Sequence, residues 1–391
     1  MSCKLGAWLP TIGLAPAALV FAVFNCYLFF ALFFAYHFCG LARAFAYATC
    51  IFMPKTRIVI VSPALQDANN GNWQTARRWQ KFLTGYAGSG DPVPRIVQHW
   101  RGDTAADQSD EVMLALHARR SADSVAAWHT AHGLGSVATR PAPGLCVVLT
   151  GTDLYRDIHT DSQAQHSIAI AQKLVVLQEL GAQELPTALR SKTTAIFQST
   201  SSRAPYAKSG RHLRALMVGH LRDEKSPQTY IEAAGLLTGR SDIFLDHIGD
   251  GLDPALAQLA TDTAEACPHY RWLGGMPHAI TRKRIQRAHV LVHASRMEGG
   301  AHVVMEAVCS ATPVLASRIA GNVGMLGAAY DGYFDWGDAA ALAKLMVRCR
   351  DEPTFLAHLA TQCAIRAPLF APQAERASLL ALVAQLASAR A

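Results

Sequence analysis

Two glutamates, Glu298 and Glu306, stand with seven residues between them in "SRMEGGAHVVMEAVCSATPVLAS", an otherwise apolar stretch. Acids without partners are rarely buried, so a pair in such a setting asks for a ligand. A carboxylate only accepts hydrogen bonds, which suits it to pairs of sugar hydroxyls. Next to Glu298 come Gly299, Gly300 and Ala301. If a helix begins near Gly300, the backbone N–H groups of these three residues are unpaired donors at its positive end and form an anion site. The missing Cβ atoms would let a ligand come close. Glu306 would then lie about 9 Å along the helix at 1.5 Å per residue, so the two carboxylates can hold different parts of one extended molecule. The competing reading, a first-turn acid and an exposed helical residue, is the commoner one for such pairs taken alone. The apolar flanks weigh against it.

Cations stand at comparable places. "LMVGHLRDEKSPQT" puts Arg222 and Lys225 a few residues after Gly219, between an apolar run and a helical pattern. Two cations at such a turn would neutralise a diphosphate, whereas a solvated run with local ion pairs is the alternative. In "VMLALHARRSADS", His117, Arg119 and Arg120 follow another apolar run. Arginines there can bind a small dianion bidentately, although adjacent helical residues do not share a face and one of the two can be a surface residue. "ALQDANNGNWQTARRW" offers a flexible turn at Gly71 with Asn69, Asn70 and Asn72 around it, a loop placed to touch a second substrate. Turn chemistry alone also accounts for those residues. Asp153 in "VVLTGTDLYRDI" either orients a nucleophile or caps the helix after it.

The elements that must position these groups come from hydropathy. From residue 57 onward, "RIVIVS", "RIVQHW", "VMLALHA", "LCVVLTG", "KLVVLQ" and "TAIFQS" alternate with helical patterns. Continuous β-branched runs of this kind suit a parallel sheet covered on both faces. The polar stretch "STSSRAPYAKSGR" at 199–211 reads as a linker, after which "RALMVGHL", "IFLDHIG", "YRWLG", "HVLVHAS" and "PVLAS" restart the pattern. The fold class is therefore α/β, with two doubly wound halves over 53–206 and 207–391. The closing "PQAERASLLALVAQLASA" has helical periodicity and should pack against the body. Ligands of open α/β sheets bind beyond the carboxyl ends of the strands, where the candidate residues fall.

A chain of 391 residues, 51% apolar, has material for more than one core. Its formal charge of +7 invites anionic substrates, but the lysines and arginines form no long run and no aromatic platform accompanies them, which argues against nucleic acid. The nine cysteines include no Cys-x2-Cys pair, which fits a reducing compartment and a cytoplasmic catalytic part without zinc. P-loop, Gly-x-Gly-x-x-Gly and His-Glu-x-x-His patterns are absent, and so is Asp-x-Asp, so no cofactor and no metal-held diphosphate are expected. The first 52 residues stand apart. Between Leu5 and Leu41 there is no Lys, Arg, Asp or Glu, and the run exceeds the about 20 residues that cross a bilayer. Either it is a membrane anchor, with Arg43, Lys55 and Arg57 keeping the remainder in the cytosol, or the protein proper starts at Met53, ahead of its first strand; the second reading is preferred.

The two doubly wound halves, Arg222 with Lys225, and the Glu298 to Glu306 spacing together resemble the GT-B glycosyltransferases of the family-4 type, across essentially all of 53–391. The resemblance implies a nucleotide-sugar donor whose diphosphate meets Arg222 and Lys225. It also implies that Glu306 holds the ribose and that Glu298, Gly299 and Gly300 contact the donor sugar. The ordered blocks "LHARRSADS", "LTGTDLYRDI", "VGHLRDEKSP", "YRWLGGMPH", "SRMEGGAHVVMEA" and "PVLASRIAGNVGMLG" are similar to the selenosugar synthases of selenoneine biosynthesis. That likeness implies a UDP-sugar and selenophosphate as partners and a 1-seleno sugar as product, with Arg119 and Arg120 as candidates for the acceptor's charge. A family-4 enzyme acting on a lipid or small-molecule hydroxyl, and a silent nucleotide-sugar-binding module, are the alternatives. "NNGN" and "GNVG" stand where wider family-4 sequences often carry Gly-Gly in the first loop and Pro-Glu in the last motif, so an ordinary sugar acceptor does not follow.

Overall fold

In a computed structural model, the protein is described over residues 56–65, 71–85, 93–132 and 140–388. The hydrophobic segment 1–52 and the asparagines at 69 and 70 lie outside these residues. Each apolar run named above contains or overlaps a strand, and the central strands of each sheet are covered on both faces. Strands β1 (Ile58–Val61), β3 (Val112–Leu116) and β4 (Ala142–Leu149) are almost wholly buried. With β2 (Arg95–Val97), β5 (Ala171–Val176) and β6 (Thr193–Ala195) they form a parallel sheet of order β2-β1-β3-β4-β5-β6.

A second parallel sheet follows the linker, in the order β12-β11-β10-β7-β8-β9. Its strands are β7 (Leu213–Val218), β8 (Ile243–Ile248), β9 (Tyr270–Trp272), β10 (Val290–His293), β11 (Val314–Ser317) and β12 (Tyr333–Phe334). The two-residue β12 is an edge strand with too short an apolar run to be read from sequence. In both sheets the order reverses after the first strands, β1 to β3 in one and β7 to β10 in the other. The switch points of a doubly wound sheet therefore lie at His117 and at the Gly219 and Glu298 loops.

The longer helices that cover these sheets are α1 (Gly71–Leu83), α2 (Ala122–Ala131), α3 (Ser162–Ile170), α4 (Pro227–Leu236), α5 (Pro254–Ala266), α6 (His278–Arg287), α7 (His302–Val308), α8 (Ala320–Leu326), α9 (Ala339–Asp351), α10 (Pro353–Arg366) and α11 (Pro372–Ser388). Although α11 follows the second half in sequence, it packs on the first. Leu379, Leu382, Val383 and Leu386 share a core with Ile58, Ile60 and Trp79. It is thus the crossover helix that ends 207–391, returning to the first half. Its first turn brings the buried Glu375 to Arg78 of α1 (2.8 and 3.0 Å) and to Trp79 Nε1 (2.7 Å), while Ser199 Oγ of the linker donates to the same carboxylate at 2.5 Å. Among the described residues, no helix is long and apolar enough to cross a membrane.

Candidate functional site

The loops after β7 and β10 carry the chemistry, and the structure joins them. Lys225 Nζ and Glu298 Oε1 form a close ion pair whose side chains are 19% and 12% exposed. Ser295 Oγ donates to the same oxygen at 2.9 Å, and His293 Nε2 lies 3.4 Å away. His293 Nδ1 meets Asn322 Oδ1 at 2.9 Å, and the Asn322 amide is in turn oriented by donating to Ser317 O. Burial pushes the Glu298 carboxyl up, but Lys225 and His293 outweigh it and hold the group well below the usual carboxylate range. Glu298 is thus a fixed anion.

Arg222 sits differently. Its side chain is 49% exposed, and its nearest carboxylate, Glu224, is 3.9 Å away. The loop around it is anchored by Arg296, whose amide donates to Glu224 O (3.0 Å) and whose guanidinium pairs with Asp223 at 2.7 Å. The pair expected for a diphosphate therefore consists of one engaged lysine and one open arginine. Gly219 follows β7 directly and lies beside the aliphatic stem of Lys225; a Cβ there would meet Cγ at 3.4 Å, an ordinary contact.

Glu306 is 4% exposed, so the reading of an exposed helical residue fails. His278 Nε2 meets its Oε1 at 2.5 Å, and Arg282 Nε lies 3.7 Å away, while Arg282 also donates to Ser201 of the linker. The hydrogen bond to Glu306 raises the His278 pKa above its ordinary value against the opposing effect of burial. The His278 side chain is 75% exposed and lies over the buried carboxylate.

The helix start differs from expectation. α7 begins at His302 with Ala301 as its N-cap, and the Ala301 amide donates to Met325 Sδ at 3.2 Å. The amides of Gly299 and Gly300 have no hydrogen-bond partner among the described residues. The lack of side chains at these glycines serves a different purpose from the one expected. A Cβ on Gly299 would stand 2.4 Å from Thr150 O, and one on Gly300 would stand 2.9 Å from Leu177 Cβ. Both positions face the loops after β4 and β5, so glycine here lets the two halves meet.

On the first half's side of this meeting, Asp153 is fully buried. Its Oδ1 accepts from the Thr150 and Gly151 amides, both at 2.9 Å, and its Oδ2 accepts from the Ala118 amide at 2.9 Å. It fastens the loop after β4 to the end of β3 and cannot contact an acceptor, which corrects its assignment to acceptor binding. Gly71 and Asn72 form the first turn of α1, with Gly71 O accepting from Thr75 Oγ1 at 2.8 Å, so the expected flexible turn is helical at both residues. Arg119 pairs with Asp157 at 3.1 Å and Arg120 is exposed.

His117, which the sequence placed at a strand end without a role, is the outlier here. Its φ of 72° is rare for a non-glycine residue, and strained residues of this kind cluster at functional sites. The imidazole is buried with Nε2 3.2 Å from Thr152 Oγ1, and burial lowers its pKa against the pull of Asp153. His302 is a second residue that sequence reasoning passed over. Its Nε2 is shielded and unpaired, and burial, reinforced by Arg78 and His278, pulls its pKa down to about 3. Among the described residues, no cluster of His, Cys, Asp and Glu has the makings of a metal site.

Residues 198–361 match the family model described as glycosyl transferases group 1. Sucrose-phosphate synthase from Thermosynechococcus elongatus superposes on the chain with a TM-score of 0.63 at 17% identity, covering 85% of this chain and 100% of that one. Anabaena HepE, solved in complex with UDP and glucose, gives 0.63 at 13% identity over 84% and 99%. The fold is GT-B. A variant of S. aureus TarM, solved with fondaparinux, alpha-GlcNAc-glycerol and UDP, gives 0.53 at 13% identity over 70% of this chain and 55% of TarM, so the chain spans about half of TarM's length. No curated protein sequence matches the chain. Open α/β sheets bind ligands in the crevice outside the carboxyl ends of their strands. Lys225 and Glu298 follow the carboxyl ends of β7 and β10 in the second sheet, with Glu306 beyond them in α7, and His117 with the Thr150–Thr152 loop follows the carboxyl ends of β3 and β4 in the first.

Proposed function

We propose that the protein is a glycosyltransferase that moves a sugar from a UDP-sugar to selenophosphate, giving a 1-seleno sugar. The observation that carries the donor half of this reading is the Lys225–Glu298 pair at the carboxyl edge of the second sheet, with the buried Glu306 beyond it. Lys225 and the open Arg222 meet the diphosphate, the Gly299 and Gly300 amides supply further donors, Glu306 takes the ribose hydroxyls and Glu298 the sugar. No metal is required in this scheme, because cations and amides carry the charge of the departing UDP.

The acceptor half rests on the ordered sequence blocks shared with selenosugar synthases and on the cations beyond β3. Arg120 and Arg119 can offer donors to the phosphoryl oxygens, the latter at the expense of its pairing with Asp157. Selenium attacks the anomeric carbon as the C1–O bond to UDP breaks. Water then cleaves the Se–P bond, releasing orthophosphate and the seleno sugar. Selenophosphate is already an anionic, soft nucleophile, so the scheme needs a charge cradle more than a general base.

The test is mass analysis of the chain incubated with selenophosphate and a panel of UDP-sugars, next to hydroxyl acceptors. A seleno sugar formed together with stoichiometric UDP and phosphate supports the proposal. Transfer to hydroxyl acceptors alone would replace selenophosphate as acceptor, and UDP-sugar binding without any turnover would remove the enzymatic reading altogether.

A further inference from the structure

At the amino ends of the second sheet, away from the cleft, lies a hollow of about 610 Å³, within the range of small-molecule sites. Arg214 near the start of β7 and Gly219 just past its end are five residues apart, about 16 Å at about 3.3 Å per residue, so this hollow and the donor loops occupy opposite edges of one sheet. Its wall is assembled from separate elements: Lys208 of the linker, Arg214 of β7, Arg271 of β9, and Lys283, Arg284 and Arg287 of α6. Among the described residues, the only acid lining it is Asp246 of β8. Six positive charges against one negative leave five unbalanced.

Asp246 is 2% exposed and organises the wall. It accepts from Arg214 Nη1 at 3.0 Å and from Arg271 Nε and Nη2 at 2.9 and 2.6 Å, and Arg284 Nη1 lies 3.8 Å away. Two guanidiniums rest on aromatic rings, Arg214 over Phe244 at 5.4 Å and Arg287 over Tyr206 at 5.3 Å. Such stacking fixes the plane and leaves N–H edges for an anion. α6 itself contains no acid, so Lys283 and Arg287, one turn apart, repel each other unrelieved. A surface that serves only solubility intersperses both signs of charge. Burial pulls Lys208 down to about 8, and an anion beside it would keep it charged.

We propose that this hollow binds a small soluble polyanion carrying three or more adjacent phosphoryl groups, more charge than UDP brings, at a site separate from the donor cleft. Concavity and a convergent set of forked donors suit clustered phosphates better than a single carboxylate. The site does not depend on the reaction proposed above.

Inorganic triphosphate is the probe, titrated calorimetrically into the full chain at low salt with UDP present in excess. One site is expected. The doubly substituted Lys283→Glu, Arg287→Glu chain should lose at least about tenfold in triphosphate affinity, as expected when charge-assisted phosphate contacts are removed. Both side chains are exposed, so its melting temperature should stay unchanged. Lys225→Met should lower UDP binding and leave triphosphate binding intact, which separates this site from the donor reading. Equal affinity in the wild type and the double variant would overturn the proposal. So would displacement of triphosphate by UDP, or binding to anionic phospholipid vesicles without binding of free triphosphate.

Discussion

Lys225→Met leaves Glu298 in place and removes its counter-charge, so it measures how much the buried carboxylate depends on that lysine. Both side chains are less than a fifth exposed, and breaking such a pair from one side costs about 3–5 kcal/mol. Glu298 keeps Ser295 Oγ at 2.9 Å and His293 Nε2 at 3.4 Å, which places the expected loss at the lower end, about 3 kcal/mol. Adding Glu298→Gln removes the stranded charge, and the double variant should regain about 2 kcal/mol relative to the sum of the singles. Urea unfolding followed by tryptophan fluorescence supplies these values. The sign with pH follows from a carboxyl whose folded pKa lies below its unfolded value of 4.5. The pair's contribution is complete above that unfolded value and is lost as pH falls through the lower folded one. The gap between wild type and Lys225→Met should therefore be flat from neutral pH to about pH 5.5 and close only in stronger acid. A loss below about 0.5 kcal/mol, the worth of an exposed pair, or a double variant no better than the sum, would refute the picture of a buried fixed anion.

Arg222→Ala should behave in the opposite way, with a stability change below about 0.5 kcal/mol because its side chain is half exposed, and a fall in UDP-sugar turnover of about 10²–10³; unchanged turnover in an initial-rate assay removes it from the donor site. His278 has a raised pKa in the folded state, so its pairing with Glu306 is complete below the unfolded value of 6.5 and lost as pH rises through the folded one. UDP affinity measured by calorimetry should accordingly improve with rising pH and become flat in His278→Ala; the same slope in both chains would exclude the imidazole as a cover. Gly299→Ala must displace Thr150 O, which the added carbon would approach to 2.4 Å, so the halves should part and hydrolysis of the UDP-sugar rise relative to transfer. An unaltered product ratio would show that the close approach does not govern closure.

The strands were legible because covered parallel strands cannot alternate: "LCVVL" and "VMLAL" carry apolar residues on both faces, and hydropathy shows this directly. Glu298 and Glu306 were legible for the converse reason, since acids in apolar surroundings declare themselves. The partners of these acids were not. His278, 28 residues before Glu306, reaches it only because α6 and α7 pack side by side, and Lys225 meets Glu298 only because β10 is the sheet neighbour of β7. Asp153 misled because an aspartate after a strand looks the same whether it faces a cleft or gathers three backbone amides. The left-handed backbone of His117 leaves only a faint mark in residue type, since histidine is enriched at positive φ but seldom adopts it.

The closing helix shows how far periodicity reaches. Leu379, Leu382, Val383 and Leu386 fall on one stripe of α11, yet a stripe does not say which core it will enter. That choice is fixed by Glu375, an acid 1% exposed that is paired by Arg78, Trp79 and Ser199. Ser199 lies in the outgoing crossing between the halves and Glu375 follows the returning one, and Thr200 N donates to Phe370 O between them at 3.1 Å. The two crossings are thus fastened to each other and to α1 on the first sheet. Any relative motion of the halves would be constrained at this fastened point, far along the chain from the close approach of Gly299 to Thr150.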